Sequence, residues 1–126
     1  MLICDEQPLV RHVLTRLLVE RSAEITVAVR DGFAAADAYT HQSAGVVLIG
    51  IHRGSGSGLE ALGLVLGLHP AAVVIAFGSA VDAGMLVAAV HRGARGLMLW
   101  GPPRAFGPHP DRLSTRPHWS AVLVVG

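Results

Sequence analysis

With 126 residues, the chain fits one domain and leaves no room for a second core of ordinary size. An apolar fraction of 52% against 15% charged residues excludes a globally disordered polymer. The net charge of +1 comes from ten scattered arginines, with no lysine, against nine carboxylates, so no basic patch announces nucleic-acid binding.

Leu2–Cys4 is a short apolar run that ends in the acidic pair Asp5-Glu6. After Pro8, which suits a first helical turn, Leu9, Val10, Val13, Leu14, Leu17 and Leu18 recur at helical spacing. Residues 25–29 form a β-branched run, and 31–41 an alanine-rich helix. Residues 46–51 are apolar on both parities, as a strand buried on both faces should be. The loop 54–58 leads into a helix over 59–68, which His69-Pro70 stops because a residue before proline avoids the helical region. Residues 73–77 read as a strand, 81–92 as a helix and 96–100 as a fifth strand. Five strands alternating with four helices predict βαβ units, hence a parallel sheet with helices on both faces.

The pattern breaks after residue 100. Six of the ten positions from 101 to 110 are Gly or Pro, so no helix runs there. Only residues 120–125 regain β-prone character. The expected organisation is a domain over 1–100 and an atypical Gly/Pro-rich tail over 101–126, either disordered or packing in trans.

No apolar run reaches the about 18–20 residues of a membrane span. Cys4 is the only cysteine, so no intrachain disulfide forms and a reducing compartment is expected. The chain therefore reads as soluble, unexported and cytoplasmic, and Cys4 as an inert core thiol. The seven histidines show no pair at i, i+3 or i+4, which argues against zinc. Gly56–Ala61 formally matches the dinucleotide fingerprint G-x-G-x-x-A, but that fingerprint belongs to a first strand–helix turn. A plain β–α loop is the expectation there, and a small nucleotide-binding enzyme the remote alternative.

An open parallel sheet binds at the carboxyl ends of its strands. Those ends are Asp5 and Glu6, Gly50, Gly78 with Ser79, and Trp100. The stretch from Ile3-Cys4-Asp5-Glu6-Gln7-Pro8, the segment from Val46-Val47-Leu48-Ile49-Gly50-Ile51 to Gly58-Leu59-Glu60-Ala61, and Gly93-Ala94-Arg95-Gly96-Leu97-Met98-Leu99 together resemble the receiver domain of bacterial response regulators. The branch they look most like carries a C-terminal helix-turn-helix. The resemblance covers residues 1–100. It implies a flavodoxin-like, CheY-like α/β fold with strand order 2-1-3-4-5, in which a fifth helix would normally cover one face beside the first.

Against that family the site is degenerate. Receivers take phosphate on an aspartate ending strand three, hold Mg²⁺ with acids after strand one, and place a hydroxyl and a lysine at the ends of strands four and five. Here Asp5 and Glu6 stand as the acids. The phosphoacceptor position is Gly50, the hydroxyl position Gly78 with Ser79 beside it, and the lysine position Trp100. Glycine offers no nucleophile for phosphoryl transfer, and a third carboxylate for Mg²⁺ is missing.

The expectation is a phosphorylation-independent receiver domain of an atypical response regulator in transcriptional control. It is neither an enzyme nor a cofactor binder, and Asp5 and Glu6 are only a weak metal pair. It would act by homodimerisation, with 81–92 and 96–99 as the face implied by resemblance, or by binding a small effector where Gly50 and Gly78 leave room. Constitutive protein–protein docking is the alternative. DNA would be reached only through an effector domain absent from this chain, and no membrane is involved. Trp100 is expected either to plug the emptied pocket or, like His52, to meet a ligand or partner, with His52 facing solvent. The face left bare by the missing fifth helix would be covered either by the tail residues Trp119, Val122, Leu123, Val124 and Val125 folding back or by a second subunit.

Overall fold

A computed structural model describes residues 1–20, 27–41, 45–52, 54–79, 82–101 and 118–123, with 100, 101 and 118–123 described through their backbone. The elements are β1 (Leu2–Cys4), α1 (Pro8–Glu20), β2 (Val27–Val29), α2 (Gly32–His41), β3 (Val47–Gly50), α3 (Ser57–Leu68), β4 (Val74–Ser79), α4 (Ala83–His91), β5 (Gly96–Gly101) and β6 (His118–Leu123). Five strands run parallel in the expected order β2-β1-β3-β4-β5.

Alternation along each strand divides the core in two. Leu2 and Cys4, Val47 and Ile49, and Val74 and Ala76 pack with Ala35 and Ala36 of α2, Ala61, Leu62 and Val65 of α3, and Leu86 and Ala89 of α4. The intervening Ile3, Leu48 and Phe77 pack instead with Leu14 of α1. Local chemistry fixes the helix starts. Pro8 opens α1, and Asp31 caps α2 by accepting the Ala34 N–H at 2.8 Å, which leaves one fewer orphan amide. Gly32 allows α2 to meet α3, since a Cβ there would lie 2.6 Å from the Ala61 Cα. At the other end, Thr40 Oγ1 and the Ala36 carbonyl both lie within hydrogen-bond reach of His69 Nε2, at 2.9 and 3.2 Å. Gly93, at φ 115°, supplies the left-handed turn that ends α4.

No helix follows α4 among the described residues. The tail contributes something the sequence reading did not anticipate. Residues 118–123 do not fold back over the α1 side but add a sixth strand, antiparallel to β5, with Trp100 opposite Trp119 and Gly96 opposite Leu123. The reason is physical: an open β5 edge presents unpaired amides and carbonyls, and a β-prone segment satisfies them directly. Val124 and Val125 lie outside the described residues, as does the expected disorder over 102–117. On the α1 side, Leu9, Val13 and Leu17 remain exposed along one line of the helix. None of the helices described is long and apolar enough to cross a membrane.

Cys4 is buried in β1. Burial, and then the negative charges of Asp5 and Asp31, push its thiol from 9.0 up to about 12. The thiolate is the reactive form, and the unfolded thiol reaches it near pH 9 while the folded one stays protonated until far higher pH. Iodoacetamide at pH 8 should therefore leave the native protein unmodified over an hour and add one carbamidomethyl group in urea. Rapid full labelling of the folded chain would contradict the buried position.

Candidate functional site

The carboxyl ends of β1, β3, β4 and β5 converge, and with them nearly every residue singled out from the sequence. β1 pairs with β3 through Cys4 and Ile49, so Asp5, one step on, lies beside Gly50. The Asp5 side chain is fully buried. Its Oδ1 accepts the Gln7 N–H at 2.8 Å, a turn that redirects the chain into α1. Its carbonyl accepts a hydrogen bond from Arg11 Nη1 at 2.7 Å. Its Oδ2 faces His52 Nε2 at 2.5 Å.

His52 thus does not face solvent. It follows Gly50 by two residues, shares its strand parity, and turns inward until only 21% of its side chain is exposed. The imidazole closes over the acid, with Nε2 within hydrogen-bond distance of the carboxylate.

Gly50 does not leave a void either. A Cβ built on it would overlap Asp5 Oδ2, lie 2.8 Å from Asp5 Cγ and 3.0 Å from Phe77 Cζ. The Asp5 carboxylate, just past β1, occupies the volume that a side chain at position 50 of β3 would need. Gly78 is equally hemmed in, since a Cβ there would stand 2.7 Å from the Ile51 carbonyl oxygen. The roomier pocket expected from two glycines is therefore absent at both positions, because neighbours have closed over them. This is the close packing that cores maintain wherever they can.

The remaining polar groups are paired among themselves. Glu6 Oε2 accepts from the Ser57 hydroxyl at 3.0 Å, joining the end of β1 to the start of α3. The Ser57 and Ser55 hydroxyls lie 3.0 Å apart. Ser79 donates its hydroxyl to Asp82 Oδ2 at 2.9 Å, and Asp82 is itself buried. The sequence reading passed over Asp82, although the spacing Ser-x-x-Asp before a helix was a usable signal. Trp100 keeps its place at the end of β5, opposite Ser79. The expected role of its indole falls outside the described residues.

Chemically, the arrangement holds a buried acid–imidazole pair. Among the described residues no three of His, Cys, Asp and Glu gather as metal ligands. Asp5 and Glu6 direct their carboxylates to different partners.

No protein-family model and no curated protein matches the chain. Solved structures do. The receiver domain of NtrX from Brucella abortus superposes with a TM-score of 0.68 at 24% identity, over 78% of this chain and 82% of that one. A LuxR-family two-component response regulator from Aurantimonas matches with a TM-score of 0.64 at 22% identity, over 76% and 69%. CheY of Borrelia burgdorferi, in a complex with CheX, BeF₃ and Mg²⁺, is a third neighbour, with a TM-score of 0.64 at 23% identity over 76% of this chain and 73% of that one. The chain has the fold of a response-regulator receiver domain.

Proposed function

We propose that this chain is a receiver-type regulatory domain that works without aspartyl phosphate, in transcriptional control, in the cytoplasm and through association with a second copy. One observation carries the reading: at the end of β3, where a receiver would offer an aspartate, the backbone of Gly50 lies against the buried carboxylate of Asp5, and His52 covers that carboxylate. Phosphoryl transfer needs an oxygen nucleophile held in line with phosphorus and a cation to share the developing charge. Gly50 supplies no side-chain oxygen. Asp5, the nearest one, has no exposed surface and already carries two hydrogen bonds.

The proposal is tested by incubating the protein with acetyl phosphate and Mg²⁺ and reading intact mass. The expected result is an unchanged mass. A gain of one phosphoryl group, on any residue of the cleft, overturns it. Effector binding stands second, because the closed positions 50 and 78 offer less room than their glycines suggest.

A further inference from the structure

By resemblance, the end of this sheet would hold Mg²⁺ on the acids after β1 and on a carboxylate at the end of β3. The side chains present do not fit that ion. Mg²⁺ takes oxygen ligands at about 2.0–2.1 Å in a near-ideal octahedron, so two atoms sharing one ion stand about 3 Å apart. His52 Nε2 lies 2.5 Å from Asp5 Oδ2, too near for an ion to be held between them. Asp5 Oδ1 already accepts the Gln7 N–H at 2.8 Å, and no part of the side chain reaches solvent. Glu6 is turned to the Ser57 hydroxyl. At position 50, where a third carboxylate would start, a Cβ would overlap Asp5 Oδ2.

We propose that His52 stands in the cation's place. Its imidazole fills the approach to Asp5 Oδ2, and the cleft is thereby indifferent to divalent ions. The inference rests on the receiver-type reading above and deepens it, from the phosphoryl group to the cation. Two observations make His52 the agent. It meets an acid with no exposed surface while 21% of its own side chain is exposed, so the imidazole is the layer between Asp5 and solvent. Its seat also depends on Gly50, because Asp5 Oδ2 lies where a side chain on β3 would stand, and residue 52 shares that parity. The consequence is physical. A buried acceptor is costly without a partner, and an acid held by a metal has its partner only while the ion is bound. Asp5 carries its partner in the same chain.

The test uses the full chain with Mg²⁺, read by thermal unfolding at constant ionic strength, and with Mn²⁺, read by its electron paramagnetic resonance. An ion that binds only the folded chain raises the melting temperature. At about 10 mM Mg²⁺ the parent should shift by less than about 1 °C, and His52→Ala, with Oδ2 uncovered, by about 3–5 °C. His52→Ala should also deplete the free Mn²⁺ signal that the parent leaves intact. Both gains should vanish in the double variant His52→Ala, Asp5→Asn. His52→Gln, whose amide can donate to Oδ2, should stay as indifferent as the parent. A parent that binds either ion and loses it on Asp5→Asn overturns the proposal, and this titration stands whether or not the alanine variant folds. A folded His52→Ala variant that responds no more than the parent overturns it too. Phosphoryl uptake from acetyl phosphate overturns the phosphate-independent reading alone, and cation binding by a parent that gains no phosphoryl mass overturns this inference alone.

Discussion

Substituting Gly50→Asp, which restores the residue a receiver would carry, should destabilise the fold by about 4–8 kcal/mol without conferring phosphorylation. The new Cβ would meet Asp5 Oδ2 and the Phe77 ring, so Asp5 or β3 must move. Overpacking of this kind costs about 1–3 kcal/mol. A second carboxylate would also be forced beside a buried one, with His52 the single imidazole against both, and an uncompensated buried charge costs several kcal/mol more. For a domain whose whole stability is of order 5–15 kcal/mol, that is a large share. Urea denaturation of Gly50→Asp beside Gly50→Ala separates the two causes, the alanine variant losing only the steric part, about 1–3 kcal/mol. An Asp variant as stable as the parent, or one that gains phosphoryl mass from acetyl phosphate, would show that the cleft tolerates and uses a carboxylate at this position.

His52→Ala should cost about 1–3 kcal/mol, chiefly by leaving Asp5 Oδ2 buried without its donor. The loss is set by desolvation of the acid more than by packing, because the imidazole is partly exposed. A double-mutant cycle with Asp5→Asn distinguishes these: the two substitutions together should cost clearly less than their sum, since removing the charge removes most of the need for a partner. Equal m-values with shifted urea midpoints would validate the comparison. Strict additivity would mean that the pair does not interact, and the description of the cleft would have to be revised.

Much of this molecule was legible in its residues. A run apolar on both parities, such as 46–51, fits a strand covered on both faces, and the helix boundaries at Pro8 and His69-Pro70 follow from backbone sterics. Receiver-like strand order came from motifs agreeing in sequence order, and the sheet has it. The cleft was read less well because its decisive contacts are long-range. Asp5 and His52 are 47 positions apart, and only the register of β1 on β3 brings them together. Parity offered a clue, since residues 50 and 52 share a face, but a histidine beyond a strand end ordinarily meets water. Two glycines suggest space, because a sequence shows which atoms are missing and not which neighbours move in. β6 escaped for a similar reason: residues 120–125 advertised a strand, but nothing local told whether its partner would be an edge, a face or another chain.

The two sides of the sheet are built with different degrees of bracing. On one side, α2 and α3 are joined at both ends, by the close approach of Gly32 to Ala61 and by His69 reaching back to Thr40 and Ala36. On the other, α1 stands without a companion helix among the described residues, and its first turn is moored through Arg11 to the main chain of Asp5. Leu14 at mid-helix, with Val10 and Leu18, anchors α1 to the sheet, and Arg11 ties its first turn to Asp5. The helix and the filled cleft therefore share one attachment, so a change that loosens α1 is felt first at the residue that fills the end of the sheet.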